Sequence, residues 1–207
     1  MNKQNFSDQS LNKDMVQDLK LARDFFDAHF VNHEVLYIYK KNNELSHLSV
    51  NMQKFNFMHL FGVTYFNANQ LYKDLSDKRI SKLNMRNLKQ KKDGTTRQKL
   101  DMAKYLPTLI RQGVCINDKQ EFETFTADNI IRSKEKLLAF CLHHEEDKYI
   151  PKSLLDLRKN SKKEQQLTPK HPVIYIRKLN NLTKQKTLLY VEHSEVDVIN
   201  DYIFEDE

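Results

Sequence analysis

The segment that decides the fold reads Lys54-Phe55-Asn56-Phe57-Met58-His59-Leu60-Phe61-Gly62-Val63-Thr64-Tyr65-Phe66. Its apolar residues, beginning with Phe55 and Met58, recur at the three- and four-residue spacing of a short buried helix. Gly62 stands where a glycine often takes the left-handed conformation that ends a helix. We therefore predict a core helix with His59 off its apolar stripe. The sequence leaves two roles open for His59, a hydrogen-bonded structural residue or a catalytic one.

The residues before this segment predict a helix followed by a hairpin. From Asp14 to Phe30 the apolar residues fall on one face, and Asn12 is placed to cap the helix N-terminus. The segments 34–40 and 45–50 then flank a polar turn, and the first of them is rich in β-branched and aromatic residues. The hairpin leads directly into the core helix.

Composition predicts one folded domain with an anionic partner. The 207 residues are 39% hydrophobic, which is enough for a single core over 1–207. The 34 Lys and Arg exceed the 28 Asp and Glu, giving a net charge of +6 that favours RNA, DNA or another polyanion. A merely soluble basic protein has the same composition. With only 3 glycines the chain lacks the loops of Rossmann and P-loop nucleotide sites.

Cysteine use and hydropathy predict a cytoplasmic protein. Cys115 and Cys141 lie in apolar surroundings, which is typical of reduced core residues. The polar N-terminus has no leader-like apolar region, and the chain has no apolar run near the roughly 20 residues of a membrane span. We therefore expect a location in the cytosol, with no membrane partner.

A basic segment in the middle of the chain is the first candidate nucleic-acid contact. From Lys78 to Lys99 there are nine Lys or Arg and one acid. The spacing predicts a basic amphipathic helix followed by a loop, within a helical elaboration at 67–113. A solvated charged face is the alternative interpretation. The cations that we assign to nucleic-acid binding here are Arg79, Lys82, Arg86 and Lys89.

The last third of the chain predicts antiparallel strands with a cationic face. On the strand at 173–178, alternation places Ile174 and Ile176 on one face and Tyr175 and Arg177 on the other. An exposed Tyr and Arg can stack a base and clamp a phosphate, although such a face is also typical of a half-buried sheet.

Loops beside these strands carry further cations, among them Lys152, Lys170 and His171. The acidic stretch 193–207 is predicted to be a solubility tail or, alternatively, to fold back onto the basic region.

A metal site is a weaker alternative. The run His143-His144-Glu145-Glu146-Asp147 offers several ligands, but adjacent residues of a strand face opposite sides and cannot all converge. A solvated turn is the competing interpretation.

The order of these motifs resembles the phage-associated nucleases grouped with barnase, EndoU, colicin E5/D and RelE, in particular the fourth such phage family. Two stretches carry the resemblance, Phe55-x-Phe57-Met58-His59-Leu60-Phe61-Gly62-Val63 after the hairpin and Tyr149-Ile150-Pro151-Lys152-Ser153-Leu154-Leu155. It implies an α+β fold, with N-terminal helices packed on a curved antiparallel β-sheet and an inserted basic helical region. It also implies metal-independent endoribonuclease activity, without a cofactor.

The resulting hypothesis is an endoribonuclease of phage or mobile-element origin that cuts RNA, including tRNA, through its 2′-hydroxyl. His59, the residue that matches a family motif, would be general acid or base. Lys152 and Arg177 would stabilise phosphate charge, and Tyr175 would stack on a base. The alternative is a non-catalytic inhibitor or binding module that meets a nucleic acid or a protein partner through the basic region.

Overall fold

The computed structural model describes residues 10–77, 79–91, 94–135, 137–158 and 165–205, with side chains as far as residue 202. Its helices are α1 Lys13–His29, α2 Lys54–Leu60, α3 Ala68–Asp74, α4 Thr96–Leu100 and α5 Val196–Glu205. Short 3₁₀ segments occupy Ile80–Lys82, Ala103–Ile110 and His193–Glu195. Among the described residues, no helix combines the length and the apolar character needed to cross a membrane.

The strands are β1 His33–Lys41, β2 Glu44–Asn51, β3 Val63–Thr64, β4 Lys89–Gln90, β5 Cys115–Asn117, β6 Gln120–Glu121, β7 Thr126–Ala127, β8 Asn129–Arg132, β9 Leu138–Glu145, β10 Lys148–Asp156, β11 His171–Asn180 and β12 Lys186–Val191. Two small sheets, β3–β4 and β6–β7, stand apart from the main sheet.

The main sheet closes into a barrel of seven strands in the order β1-β2-β10-β9-β8-β5-β11, because β11 also pairs with β1. The α+β class is confirmed, but the expected curved antiparallel sheet is wrong, since the sheet is a closed barrel. The physical reason is that β1 is hydrogen-bonded along both edges, which removes the free edges that an open sheet would expose. Neighbouring strands of the barrel are antiparallel, except that β2 and β10 are parallel. Strand β12 pairs with β11 but is not one of the seven barrel strands.

The two ends of the barrel differ in what surrounds them. At one end β1, β5 and β9 finish while β2, β8, β10 and β11 begin. We call this end the barrel mouth. At the other end α1 leads into β1 and α2 follows β2, and we call this the helical end.

Helix α1 forms as its sequence predicts. The side chain of Asn12 accepts a hydrogen bond from the backbone N–H of Met15 at 2.9 Å, satisfying one of the free donors at the helix start. Phe26, on the buried face, packs against Phe57 and Phe61 at ring distances of 6.4 and 6.1 Å, and against Phe140 of β9 at 5.9 Å. These rings form the apolar contact between helices and barrel.

The predicted core helix is confirmed as α2, and Gly62 closes it with φ of 63°. The apolar stripe differs from the prediction, since Phe55 is 62% exposed while Phe57 and Leu60 are fully buried. The buried stripe is therefore shifted along the helix, and its Phe57 packs on the ring of Phe26.

The predicted basic amphipathic helix is wrong. The described part of this region contains a 3₁₀ turn at Ile80–Lys82 and then strand β4, which pairs with β3. Leu83 and Leu88 are each buried, and the backbone N–H of Asn84 donates to the Tyr65 hydroxyl at 3.0 Å. These anchors hold the chain in an irregular path. The wider segment 67–113 supplies side chains to the main core rather than forming a separate body.

The acidic end forms helix α5, which packs on the outer face of the barrel. Ile199 of α5 contacts a cluster that contains Ile38 and Ile174. A bulge in β11 opposite β1 moves Ile174 to this outer face, whereas Ile176 lies in the main core. The expected strict alternation along β11 is therefore wrong, because one extra residue reverses the direction of the side chains that precede it.

Candidate active site at the barrel mouth

Three side chains from separate strand ends meet at the barrel mouth. The Lys41 ammonium, at the end of β1, donates to Asp118 Oδ1 at 2.8 Å, and Asp118 directly follows β5. His171, the first residue of β11, has Nε2 3.2 Å from Asp118 Oδ2 and is only 5% exposed. One carboxylate thus holds a cation and an imidazole together.

The contacts of Asp118 favour its ionised form. Partial burial is the largest single effect and raises the pKa, but the hydrogen bonds and charges of Lys41 and His171 outweigh it. The net result is a pKa below the ordinary value of an aspartate. An ionised carboxylate can only accept, so Asp118 accepts the hydrogen bond from His171 Nε2–H, and Nδ1 is the acceptor in the tautomer that this contact selects.

Two tyrosines and a second histidine complete this group. The Tyr39 ring lies 5.9 Å from the His171 ring, and His144 lies 4.8 Å from Tyr149. Burial, and then the nearby Tyr149 hydroxyl, raise the pKa of Tyr39. Burial, followed by the charge of Asp128, raises the pKa of Tyr149. Both phenols therefore stay protonated near neutral pH and act as hydrogen-bond donors.

The mouth combines an imidazole, a cation and neutral phenols within a partly water-excluded rim. An imidazole whose tautomer is fixed by a carboxylate is suited to move a proton at neutral pH. An ammonium and phenolic O–H groups stabilise negative charge on a phosphate. The group has the parts needed for acid–base cleavage of a phosphodiester.

His143 faces the outer side of β9, away from His144. Its Nδ1 lies 2.7 Å from Asp128 Oδ2, and the same oxygen accepts the His144 backbone N–H at 2.9 Å. The His144 ring instead packs on Tyr149. The predicted alternation of this run is confirmed. No cluster of three or more His, Cys, Asp or Glu suited to a metal ion occurs in the described ranges.

The residues predicted from the sequence lie in separate places. His59 is exposed in the last turn of α2 at the helical end, with Nδ1 3.1 Å from Lys91 Nζ. Lys152 lies in a bulge of β10, and Arg177 lies on β11. Strands β2 and β1 stand between β10 and β11, so these backbones are roughly 14 Å apart along the barrel wall. The structure does not gather these three residues into one cleft.

The predicted nucleic-acid contacts are also dispersed. Tyr175 is half-buried and packs in the outer cluster beneath α5. The other four predicted contacts belong to the irregular segment that replaces the predicted basic helix. Lys82 and Arg86 are exposed, while Arg79 and Lys89 are half-buried. A binding role for these residues stays a prediction.

Sequence reasoning missed Tyr39, Lys41, Asp118 and Tyr149, and it identified His171 merely as one loop cation among several. The signal was present in a weak form, because each of these residues lies at or within two residues of a strand end. Strand ends that meet in space bring such groups together, but their meeting depends on how the barrel closes.

Comparison with known proteins adds the family. The family model described as phage-Barnase-EndoU-ColicinE5/D-RelE like nuclease 4 matches residues 18–193 of the chain. The match includes the segment 67–113 and stops before α5. Neither a curated protein nor a solved structure matches the chain.

Proposed function

The chain belongs to this family of phage nucleases, and on that premise we propose that it is a metal-independent endoribonuclease whose reaction takes place at the barrel mouth. Membership of a nuclease family implies that the substrate is a nucleic acid. What we add is that this substrate is RNA and that the reaction needs no metal ion. The proposal depends above all on the contact of Lys41, Asp118 and His171. Through Asp118, this contact places a general base, His171, beside a cation that can bind phosphate, Lys41.

The proposed reaction is an in-line transfer within RNA. His171 Nδ1 takes the 2′-hydroxyl proton, and the 2′-oxygen forms a bond to phosphorus while the bond to the 5′-oxygen breaks. The leaving oxygen receives a proton from His144, the exposed imidazole on the opposite wall of the mouth. The products are a 2′,3′-cyclic phosphate and a 5′-hydroxyl.

The other mouth residues stabilise charge and position the substrate. The Lys41 ammonium and the O–H groups of Tyr39 and Tyr149 face the phosphate as negative charge grows on its oxygens. Asp118 touches neither substrate nor phosphorus in this scheme. It is a positioning residue that fixes the His171 tautomer and holds Lys41.

The experiment uses a short single-stranded RNA, the same RNA with 2′-deoxy sugars, and EDTA in every reaction. We expect the wild-type protein to cut the RNA, leave the deoxy strand intact and release cyclic phosphate ends. His171→Gln should reduce the cleavage rate by about 10²-fold or more. Cleavage that EDTA abolishes would overturn metal independence, and cutting of the deoxy strand would overturn attack by the 2′-hydroxyl.

Because His171 is buried, its variant needs a folding control. Lys41→Met changes a rim residue, is expected to fold, and should also slow cleavage. His59→Ala tests the competing site at the helical end. If His59→Ala alone eliminates cleavage while His171→Gln and Lys41→Met retain it, the reaction is not at the mouth.

A further inference from the structure

A cationic pocket lies at the helical end, between α1, α2 and α3 and away from the mouth. It is an open pocket of about 400 Å³, and six residues line it, namely Arg23, Lys54, Asn69, Tyr72, Lys73 and Ser76. Three of them are positively charged and none is acidic. The remaining three carry an amide, a phenol and a hydroxyl.

Tyr72 forms the floor of the pocket and holds two of the cations. Its side chain is 1% exposed, with the guanidinium of Arg23 5.0 Å and the ammonium of Lys54 5.7 Å from the ring centroid. The attraction between a cation and an aromatic face favours these placements. The Tyr72 hydroxyl donates to Asp27 at 3.2 Å, which fixes the ring from behind.

Arg23 is held in one orientation by two carboxylates. Its Nη1 lies 3.0 Å from Asp24 Oδ1, and its Nη2 lies 3.5 Å from Asp27 Oδ2. Its Nε is buried and has no hydrogen-bond partner among the described residues. A nitrogen that is closed to solvent cannot be reached by a ligand oxygen, so Arg23 contributes its fixed positive charge to the pocket rather than this donor.

The two lysines of the pocket are not neutralised within the described part of the chain. No described carboxylate lies within ion-pair distance of Lys54 or Lys73, whereas the nearby Lys20 pairs with both Asp24 and Asp77. The carboxylates of this region thus bind Lys20 and Arg23, and the exposed ammonium groups of the two pocket lysines remain available to an anion.

We infer that this pocket binds the phosphate group of a nucleotide unit. Guanidinium and ammonium donors are the groups that bind phosphate oxygens most strongly, and a fixed guanidinium plane can also stack on a base. The volume exceeds what phosphate alone would fill and falls at the small end of ligand pockets. The inference rests on the proposed function in one respect, since the RNA strand cut at the mouth would supply such phosphates.

The first experiment measures binding without cleavage, using a fully 2′-O-methylated RNA of about 20 nucleotides. Lys54→Ala/Lys73→Ala should weaken this binding by about tenfold, and the slope of log affinity against log salt should fall by about 0.7 for each phosphate that the variant no longer neutralises. Lys13→Ala/Arg111→Ala removes the same charge from exposed positions outside the pocket and should change affinity by less than about threefold. Equal losses of affinity in the two double variants would overturn the inference, because bulk charge alone would explain them.

A second arm separates a strand from a free nucleotide. Titration with AMP and with inorganic phosphate tests whether the wild-type pocket binds small phosphates. The variant Lys54→Arg/Lys73→Arg keeps both positive charges, so it should bind each ligand that the alanine variant no longer binds. Loss of AMP binding in the alanine variant assigns a free-nucleotide site. Loss of RNA binding alone assigns an anchoring site for a strand. Unchanged affinity for all three probes would contradict the inference.

Failure here is distinguishable from failure of the proposed function. If the wild-type protein and the pocket variant cut unmodified RNA at the same rate and bind the methylated strand equally well, only the pocket inference fails. If nothing is cut but the pocket variant still loses affinity relative to its control, only the catalytic proposal fails.

Discussion

The interior of the barrel ends in different side chains at its two ends. At the helical end, Phe26 meets aromatic rings from α2 and β9 in a water-free cluster. At the mouth, the same barrel interior ends in Tyr39, Lys41 and His171. Interior side chains in the middle of the strands are apolar, whereas the buried His171 at the rim has the Asp118 carboxylate as a polar partner. If the proposed reaction takes place at the mouth, stability and activity belong to different ends of the barrel, and substitutions at the two ends test that separation.

The largest expected effect is on stability at the helical end. Phe26→Ala should lower the free energy of unfolding by about 4 kcal/mol, because it leaves a cavity among closely packed rings. Urea denaturation measures this loss. Leu21→Ala, on the exposed side of the same helix, is the matched control and should cost under about 1 kcal/mol. Equal losses would show that the cluster is not the centre of stability.

The next effect is on activity at the mouth. Asp118→Asn should slow RNA cleavage by about 10²-fold, equivalent to about 2.7 kcal/mol, because the amide no longer fixes the His171 tautomer. The matched control is Asp101→Asn, which removes a carboxylate that pairs with Arg97 of α4 and contacts none of the mouth residues named above. We expect it to change the rate by less than about threefold. A pH–rate profile separates a positioning role from damage to the fold. Loss of the His171 tautomer should change the limb of the profile that reports the general base, whereas partial unfolding should lower the rate at every pH.

A smaller effect concerns pH. The pKa of Asp118 is lower in the folded protein than its ordinary value, so its contribution to stability is complete above about pH 4 and is lost as pH falls through the folded pKa. The gap in unfolding free energy between the wild-type protein and Asp118→Asn should be about 1 kcal/mol at pH 6 and should shrink below pH 4. A gap that widens on acidification would contradict the assigned contacts.

The smallest effect is expected at His59. This side chain is exposed at the helical end, so His59→Ala should change the free energy of unfolding by less than about 0.5 kcal/mol. If catalysis belongs to the mouth, the cleavage rate should change by less than about threefold. Kinetics on the same RNA substrate would show a much larger loss if the family motif that contains His59 carried the reaction.

Local features of the fold could be predicted from the sequence. The Asn12 cap, helix α1, the β1–β2 hairpin and the left-handed Gly62 depend on residues within a few positions of one another. The basic stretch was mispredicted, because its apolar spacing fits a helix while its anchors, Tyr65 among them, lie outside the stretch. The spacing of apolar residues within a segment carries no information about hydrogen bonds that the segment forms with another part of the chain.

The candidate site was less predictable than the fold. His59 stood out because it is embedded in an unusual aromatic segment, whereas Asp118 has no motif around it. The ion pair between Lys41 and Asp118 and the contact of Asp118 with His171 join residues that are distant in sequence. The residues around each of these three positions do not indicate which distant residue it will contact.

The sequence by itself determined a mixed α+β protein with an excess of positive charge, a capped first helix and a glycine-closed second one. Only the tertiary structure decided that β11 pairs with β1, and hence that the sheet closes. Closure brings the strand ends together at one rim and determines which charged groups share a site. The reason is that helix caps and turns are set by neighbouring residues, whereas barrel closure is set by pairing between distant strands that local sequence does not specify.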